Sequence, residues 1–490
     1  MGRADAWTTG HAYASGIALM ENAGAAVART VLERFGDAAR VHVLCGPGNN
    51  GGDGYVAARI LREHGMAVAL YAFGKPRAGS DAQEAAGRCT LEAQAPDRFD
   101  PLGADVVVDA VFGAGLTRLL PDDVRAALDK ARAARCRAVA VDLPSGVNGD
   151  SGADLGGALA ADATVTFFRK KPGHLLYPGR ALCGDLFVAD IGVRDGVFED
   201  EPPSVFENGP AIWHEALRSP RADWHKYARG HAAVFSGGRH ATGAARLAAM
   251  AAQRAGAGAV TILGQPDALD IHAAHVTSIM LRACAPDDAY DRLKALKGCR
   301  ACVLGPGFGD LPTARRIATL LLGEAGETGL RLVLDADGIT AFADDRTALF
   351  EAARTGSGDP AMVLTPHEGE FGRLFPDLAK DPGLSKLDRA REVAHRAGAV
   401  VLYKGPDTVV AGPDGRAAIN SNGTPALATA GSGDVLAGLI AGLLAQGVPV
   451  FEAACAAAWL HGEAGRAAGP LAIAEDIIAA VAPVLEPCLG

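Results

Sequence analysis

Residues 41–54 read Val-His-Val-Leu-Cys-Gly-Pro-Gly-Asn-Asn-Gly-Gly-Asp-Gly: an apolar run, then a loop rich in glycine, then the start of a helical pattern. This order predicts a buried strand that leads into a helix whose first backbone N–H groups can bind an anion. As a glycine loop, the stretch fits a structural turn and a ligand cradle equally well. Asn49, Asn50 and Asp53 favour the cradle, because turns rarely need three amide or carboxylate groups so close together.

The first half of the chain alternates apolar runs with helical patterns. Helical patterns occur at 55–64 and 122–135, and strand-like runs lie at 41–45, 67–72, 106–111, 138–143, 164–168 and 186–191. This alternation predicts a parallel sheet with right-handed crossovers, here a Rossmann-like three-layer α/β sandwich. Ligands of such sheets bind beyond the carboxyl ends of the strands, where the loop after residue 45 lies.

A second α/β pattern follows a break in the first. Residues 199–223 contain several prolines and little periodicity, so we expect a boundary near residue 215 and two domains, 1–215 and 216–490. Strand-like runs recur from 232 to 403, and the runs 408–411 and 416–419 predict a hairpin turned by Gly-Pro-Asp-Gly. Helical segments close the chain.

The composition is typical of a folded, soluble protein. Hydrophobic residues make up 49% and charged residues 21% of the 490 residues, which excludes a disordered chain. The net charge of −10 argues against general nucleic-acid binding. Of the nine cysteines, only Cys299 and Cys302 have Cys-x-x-Cys spacing, so we expect buried free thiols in a reducing cytoplasm. We expect no signal peptide, and the apolar stretch 435–451 predicts a buried helix and a turn rather than a membrane span.

Acidic residues follow several predicted strands. Asp109 and Asp142 each close an apolar run, so both should project from the ligand edge of the first sheet; a helix cap or turn former is the alternative for each. Residues 431–434 read Gly-Ser-Gly-Asp before an apolar helix, which suits a site that holds a phosphate. Asp434 there fits a base that removes a hydroxyl proton, or a helix cap. Lys404 after a strand fits a nucleotide-binding lysine or a solvated strand end.

Five motifs of the first half resemble the NAD(P)HX epimerase family, the YjeF N-terminal domain, over roughly residues 10–195. They are the stretches 19–24, 48–54, 109–115, 142–149 and 170–173. The resemblance implies that Asn50, Asp109 and Ser145 hold a potassium ion, in keeping with the oxygen ligands that hard cations prefer. It implies that Asp142 is the acid–base residue near the nicotinamide ring, a role that needs a carboxylate within hydrogen-bond reach. The residues implied to line the substrate are Asn49, Asn50, Gly51, Gly52, Asp53, Gly113, Ala114, Gly115, Leu116, Thr117, Arg118, Leu119 and Asp142. Lys170 and Lys171 fit phosphate contacts or an exposed basic pair.

Motifs of the second half resemble the ribokinase-like superfamily and, within it, the ADP/ATP-dependent NAD(P)HX dehydratases, over about residues 225–485. They include the stretches 242–244, 305–309, 335–337, 365–367, 404–408 and 429–434. By resemblance, the hydrated nicotinamide nucleotide contacts Ala244, Gly307, His367 and Asp434, with Asp434 as the base. The residues implied to hold the adenine nucleotide are Lys404, Gly405, Pro406, Asp407, Thr408 and Gly433. By itself, His367 also fits a core or capping histidine. Residues 338–340 and Glu368 depart from the Ala-Leu-Asn and Pro that are usual in the family.

The two resemblances together imply a bifunctional repair enzyme. The first domain would interconvert the R and S epimers of NADHX and NADPHX, and the second would dehydrate (6S)-NAD(P)HX to NAD(P)H with ADP, giving AMP and phosphate. The residues themselves do not choose ADP over ATP. We expect Mg²⁺ to assist phosphoryl transfer, and the chain to form a homo-oligomer with no nucleic-acid or membrane partner. A small-molecule kinase, which would release a stable phosphorylated product, is the first alternative. A nucleotide-binding sensor, which would need neither Asp142 nor Asp434, is the second.

Overall fold

The computed structural model describes residues 2–11, 13–354 and 359–489. The chain divides into two compact units, Met1–Pro203 and Ser204–Gly490, so the boundary expected near residue 215 lies inside the second unit. The reason is a short strand at Val205–Glu207 that pairs with Ala417–Ile419. Most of the Pro-containing stretch is therefore part of the second unit and not a linker between the two units.

The first unit is a three-layer α/β sandwich around a parallel sheet. Its strands in the described part of the chain are β1 (Val41–Cys45), β2 (Val68–Ala72), β3 (Ala93–Gln94), β4 (Val106–Ala110), β5 (Arg137–Val141), β6 (Ala163–Phe167) and β7 (Asp185–Ala189). Its helices are α1 (Gly2–Gly10), α2 (Gly16–Phe35), α3 (Asn49–Glu63), α4 (Asp81–Arg88), α5 (Asp122–Ala134), α6 (Gly179–Leu182) and α7 (Val197–Asp200). The strand order is β3-β2-β1-β4-β5-β6-β7, and all neighbours are parallel. The Rossmann-like prediction is confirmed.

Burial on both faces explains why the strands read as continuous apolar runs. Every residue of β1, β4 and β6 is buried. Helices α2 and α3 cover one face with side chains such as Val27 and Leu61, and α5 covers the other with Leu128. Strands β2 and β3 lie on one side of β1, and strands β4 to β7 lie on the other side. The direction in which strands are added therefore reverses between β1 and β4, and a crevice opens there at the carboxyl edge.

The second unit is a larger α/β sandwich. Its strands in the described residues are β8 (Val205–Glu207), β9 (His231–Phe235), β10 (Ala259–Gly264), β11 (Met280–Ala283), β12 (Cys299–Leu304), β13 (Arg331–Leu334), β14 (Met362–Leu364), β15 (Val400–Tyr403), β16 (Val409–Ala411) and β17 (Ala417–Ile419). Its helices are α8 (Pro210–Trp213), α9 (Thr242–Arg254), α10 (Pro266–Ala273), α11 (Ala289–Lys294), α12 (Leu311–Thr328), α13 (Asp337–Thr340), α14 (Arg346–Ala353), α15 (Glu368–Leu374), α16 (Pro376–Ala379), α17 (Lys386–Ala397), α18 (Ser432–Ala445), α19 (Val450–Ala468) and α20 (Ala474–Leu485).

The second sheet has the order β11-β10-β9-β12-β13-β14-β15-β16-β17-β8. It is parallel from β11 to β15, and β15, β16 and β17 then pair antiparallel, which confirms the predicted hairpin. The winding reverses between β9 and β12, so this sheet also has a crevice at its carboxyl edge.

The helices α9 and α18 cross in close contact on this sheet. A Cβ added at Gly438 of α18 would lie 2.1 Å from the carbonyl oxygen of Ala248 in α9, so only glycine allows the approach. The expectation that 435–451 forms a buried helix and a turn is confirmed, because α18 is buried along most of its length. In the described part of the chain, no helix has the length and apolar character needed to cross a bilayer.

Candidate functional site

A cavity of about 670 Å³ lies in the first unit, at the carboxyl edge between β1 and β4. Most residues implied to line the substrate lie on its wall: Asn49, Asn50, Asp53, Gly113, Ala114, Gly115, Leu116, Thr117, Arg118 and Asp142. The other three, Gly51, Gly52 and Leu119, are not among the residues on this wall. A Cβ at Gly51 would lie 1.9 Å from the Gly46 carbonyl oxygen, and one at Gly52 would lie 2.5 Å from the Met20 sulfur, so these glycines serve close packing. Leu119 is 72% exposed.

Asp142 follows β5 with a backbone φ of 65°, in the left-handed region that non-glycine residues seldom adopt. Its buried carboxylate accepts hydrogen bonds from the Ala114 N–H (3.0 Å), the Thr166 hydroxyl (2.9 Å) and the Lys171 ammonium (2.5 Å). The Asp142 carbonyl oxygen accepts from His174 Nε2 at 2.7 Å. These contacts fix the carboxylate at the cavity wall.

Lys171 sets the charge of Asp142. Burial alone would raise the pKa of Asp142, but the Lys171 charge and the hydrogen bonds from Lys171, Ala114 and Thr166 outweigh it, so this pKa lies below its usual value. Only 12% of the Lys171 side chain is exposed, so this lysine is not the exposed basic residue that its motif allowed. It lies after β6 and reaches back to Asp142 across the edge of the sheet.

Asp109 and Ser145 lie together behind the cavity wall. The Ser145 hydroxyl donates to Asp109 Oδ1 at 2.5 Å, and the Ser145 N–H donates to Oδ2 at 2.7 Å. The Phe112 N–H donates to Ser145 Oγ at 2.8 Å, which ties this pair to the wall of the cavity. Burial raises the pKa of Asp109 in spite of these hydrogen bonds. The expectation that Asp109 and Asp142 follow neighbouring strands at one edge is thus met by the geometry.

Asn50 approaches the same region. A Cβ at Gly113 would lie 2.9 Å from both Asn50 Oδ1 and Asp142 Oδ2, so a glycine is required between them. Asn50 Nδ2 is buried and has no hydrogen-bond partner among the described residues. A buried amide without a partner is uncommon in proteins, which points to a ligand at this place.

Two further carboxylates face the cavity. Asp53, in α3, is 8% exposed, and burial together with the negative charge of Asp142 raises its pKa well above the usual value. Asp5, in α1, also lines the cavity, and its buried Oδ1 has no partner in the described part of the chain. Sequence reasoning missed Asp5, because α1 precedes the stretch that carries the resemblance. It also missed Thr166, which has no motif of its own.

In the second unit, an ion-pair network lies at the carboxyl edge. Lys404, directly after β15, donates to Asp335 Oδ1 at 2.7 Å, and the Thr365 hydroxyl donates to the same oxygen at 2.8 Å. The Lys404 Nζ atom is also 3.8 Å from Glu370 Oε2. Burial would lower the pKa of Lys404, but the negative charges of Asp335, Glu370 and Asp434 outweigh it and raise this pKa. Lys404 is therefore a partly buried, ion-paired cation and not a solvated strand end.

The glycine motif of residues 431–434 meets this network. Gly431 has φ of 87° and is the N-cap residue of α18. A Cβ at Gly433 would lie 3.6 Å from Lys404 Nζ and 3.8 Å from Asp335 Oδ2. Burial and the charge of Asp335 raise the pKa of Asp434 to about 6, although Lys404 acts in the opposite direction. Among the described residues Asp434 makes no capping hydrogen bond to the first turn of α18, so the cap alternative lacks support. A helix N-terminus, a lysine and a carboxylate of raised pKa thus meet at one place.

His367 caps the helix α15. Its Nδ1 accepts from the N–H groups of Gly369 (2.9 Å) and Glu370 (3.3 Å), and the Glu370 carboxylate accepts from the His367 N–H at 2.9 Å. The capping role that the sequence left open is therefore present, and the imidazole remains 53% exposed. Since Glu370 also lies near Lys404, this cap fixes His367 beside the ion-pair network.

The departures from the usual family pattern have local explanations. A Cβ at Gly338 would lie 2.6 Å from the Leu304 carbonyl oxygen, so a glycine fits the close contact between β12 and α13. Glu368 accepts a hydrogen bond from the Tyr403 hydroxyl at 2.6 Å, and it thereby links α15 to the last residue of β15, which precedes Lys404.

The remaining implied contacts lie on neighbouring loops. A Cβ at Gly307 would lie 3.2 Å from the Cβ of Ala244, so the loop after β12 touches the start of α9. In the turn after Lys404, the Gly405 N–H donates to the Thr408 hydroxyl at 3.1 Å. Lys386 of α17, which no motif indicated, donates to Asp407 Oδ1 at 2.6 Å and to the Lys404 carbonyl oxygen at 3.3 Å. It holds this turn in place.

Both halves of the chain match known protein families. Residues 16–173 match the family model of the YjeF-related protein N-terminus, and residues 232–477 match that of NAD(P)H-hydrate dehydratase. Bifunctional NAD(P)H-hydrate repair enzymes are similar to this chain over most of their length. The one from Thermofilum pendens is 38% identical, covering 91% of this chain and 86% of the relative, and the one from Moorella thermoacetica is 36% identical, covering 95% and 90%. A ribokinase-like superfamily protein of Enterococcus faecalis has the fold of the second unit, with a TM-score of 0.51 at 23% identity, covering 58% of this chain and 97% of that protein.

Replacing Lys171 by methionine should leave the Asp142 carboxylate buried without its counter-charge. We expect a loss of about 3–5 kcal/mol in the unfolding free energy of the first domain at pH 7, measured by chemical denaturation. Asp142 has a depressed pKa in the wild type, so its contribution is present above the pKa of the unfolded state and is lost as the pH falls. In the variant this pKa rises, and the difference between the two proteins should shrink from pH 7 toward pH 4.

The matched control is the neighbouring, exposed Lys170, whose change to methionine should cost less than about 1 kcal/mol. An equal loss in both variants would contradict a specific Lys171–Asp142 pair.

Proposed function

The chain belongs to the family of bifunctional NAD(P)H-hydrate repair enzymes, and from this premise we propose how its residues divide the repair between two sites. The protein combines NAD(P)H-hydrate epimerase and dehydratase activities. Hydration adds water to the nicotinamide ring and produces two epimers at the new hydroxyl. The first domain interconverts the epimers, and the second removes water from one of them, so the entire damaged pool returns to NADH and NADPH.

In the first domain, Asp142 acts on the hydroxyl of the hydrated ring. The observation that carries this assignment is a carboxylate on the cavity wall that Lys171 keeps ionised. An ionised carboxylate within hydrogen-bond reach of a hydroxyl can take its proton. Asn49, Asn50, Asp53 and residues 113–118 contact the rest of the nucleotide, since they line the same cavity.

A potassium ion fits the residues behind this wall. Asp109, Ser145 and Asn50 offer carboxylate, hydroxyl and amide oxygens, the ligand types that hard cations take. The buried Asn50 Nδ2 has no partner among the described residues, so the amide can turn its oxygen toward a cation. When bound, the ion would supply positive charge beside the cavity and help to orient a nucleotide phosphate or amide.

In the second domain, the start of α18 binds a phosphate and Asp434 removes the proton of the ring hydroxyl. This assignment is supported by the Gly431–Asp434 motif, which lies beside the partly buried Lys404. Phosphoryl transfer to the hydroxyl, with ADP as donor and AMP as product, converts it into a phosphate leaving group. The C–O bond then breaks with its electron pair leaving on phosphate, and the neighbouring ring carbon loses a proton, so a C=C bond forms and the dihydropyridine ring is restored. Ala244, Gly307 and His367 contact the hydrated nucleotide, and the Lys404–Thr408 turn with Gly433 holds the adenine nucleotide.

Mg²⁺ fits this site as a partner of the nucleotide. Among the described residues no group of three metal-binding side chains lies together, and Mg²⁺ held by substrate phosphates and one or two carboxylates does not need one. When bound, it neutralises charge on the transferred phosphoryl group. Asp434 and Asp335 are the carboxylates close to the start of α18.

We also predict that the chain forms a homo-oligomer, which light scattering of the purified protein would check.

The potassium assignment predicts cation-dependent epimerisation. A single purified epimer, incubated without nucleotide, should convert to the equilibrium mixture in K⁺ buffer, and the rate should fall when choline replaces K⁺. Ser145→Ala removes one proposed ligand, so the half-saturating K⁺ concentration should rise about tenfold, equivalent to about 1.4 kcal/mol. Chromatographic separation of the epimers measures the rate. Conversion that is independent of K⁺ in both proteins would contradict the site.

The base role of Asp434 predicts a pH limit on dehydration. Because its pKa is about 6 and a base must be ionised, kcat/KM for the (6S) epimer should be half-maximal near pH 6 and reach a plateau above it. Asp434→Asn should lower kcat by about 10²–10⁴-fold. Epimerisation by the same variant serves as the internal control and should not change. An Asp434→Asn protein that still dehydrates at the wild-type rate would contradict this mechanism.

A further inference from the structure

Asp53 differs from Asp142, the proposed base of the same cavity, in having no partner for its carboxyl group among the described residues. It lies in α3 on the cavity wall and is 8% exposed, and no described residue makes a hydrogen bond or ion pair with its carboxyl group. Asp142, on the same wall, has hydrogen bonds from Ala114, Thr166 and Lys171. Burial disfavours the ionised form of a carboxyl group that has no partner, so Asp53 favours the protonated form.

The charges around Asp53 favour the protonated form. Asp142 and Asp5 are the negative groups that act on it, and both raise its pKa, while Lys171 is the positive group and acts in the opposite direction. Burial is the largest effect and also raises this pKa. On this cavity wall, Asp53 therefore favours the protonated form and Asp142 the ionised form. Two carboxyl groups in opposite protonation states are the usual composition of an acid–base pair.

We propose that Asp53 is the second proton-transfer residue of the epimerase site and that it protonates the ring nitrogen while Asp142 takes the proton of the ring hydroxyl. This role rests on the proposed function of the first domain. It goes beyond lining the substrate, because it makes the pair Asp53 and Asp142 jointly necessary for inversion.

The proposed epimerisation is a ring opening followed by a ring closure. The hydroxyl-bearing carbon of the hydrated ring is bonded to the ring nitrogen. Asp142 removes the hydroxyl proton, the C–O bond becomes a carbonyl, and the C–N bond breaks. Its electron pair stays on the nitrogen, which receives the proton of Asp53. After rotation about the adjacent C–C bond, the nitrogen attacks the other face of the carbonyl. Asp53 then recovers its proton from nitrogen, and Asp142 returns its proton to oxygen. No atom is gained or lost, and both residues regain their starting states.

Lys171 is a poorer candidate for the second group. Its Nζ is engaged by Asp142 Oδ1 (2.5 Å), the Thr166 hydroxyl (2.8 Å) and the Phe167 carbonyl oxygen (3.4 Å). A proton given up by Lys171 would also remove the charge that keeps Asp142 ionised. Asp53 can give up its proton without breaking any contact with a described residue.

The test is Asp53→Asn, because asparagine has the shape and neutrality of the protonated acid but cannot give up a proton. We expect epimer interconversion to fall at least about 100-fold in kcat, with KM within about threefold of the wild type. Dehydration of the (6S) epimer by the second domain of the same molecule should be unchanged. Glu63→Gln, the same chemical change at an exposed position of α3, is the matched control and should keep full activity.

The pH profile of the wild type gives a second measurement that needs no variant. Epimerisation kcat/KM should fall on the alkaline side as Asp53 loses its proton, with Asp142, Asp5 and Lys171 as the charged groups that set where this happens. Interconversion by Asp53→Asn within tenfold of the wild type, or a wild-type profile without an alkaline decline, would overturn the role of Asp53. A wild-type protein that cannot interconvert the epimers at all would instead contradict the proposed function of the domain.

Discussion

The structure depends on one constraint: a parallel sheet brings all its strand ends to one edge, and a reversal of winding opens a crevice there. In the first domain the reversal lies between β1 and β4, and in the second between β9 and β12. The functional loops follow from this placement. Asp109 and Asp142 come from neighbouring strands, and so do Asp335 and Thr365. The residues of each pair are far apart in the sequence, and the order of the strands brings them to the same edge.

The second constraint is the cost of burying charge. A single buried carboxylate or ammonium is strongly unfavourable, so each one here has a partner or changes its protonation state. Asp142 stays ionised beside Lys171, and Lys404 stays charged beside Asp335. Asp434, which has no direct partner of this kind, has a pKa of about 6. The proposed chemistry needs particular protonation states of these carboxyl groups. Each state depends on whether a lysine lies next to the carboxyl group.

The sequence predicted those features that depend on periodicity and on strand ends. The sheet classes, the hairpin at β16 and β17, and the edge position of Asp142 follow from apolar runs that end in polar loops. It did not predict that Lys171 reaches Asp142, because that contact depends on the backbone path after β6. It placed the boundary after β8, because a three-residue strand has no periodic signal and Val205 pairs with Ala417 far along the chain. It did not indicate that Gly51 packs against Gly46 and Gly52 against Met20, because these contacts are visible only in three dimensions.

The central claim is that one chain repairs both epimers with two separate carboxylates. The most direct measurement is the final absorbance of reduced nicotinamide after the protein acts on a mixed-epimer hydrate with ADP. The account predicts complete recovery for the wild type. For Asp142→Asn, dehydration should continue but rapid recovery should stop at the share of the epimer that the second domain accepts. Complete recovery by Asp142→Asn at the wild-type rate, or none by the wild type with either ADP or ATP, would contradict it.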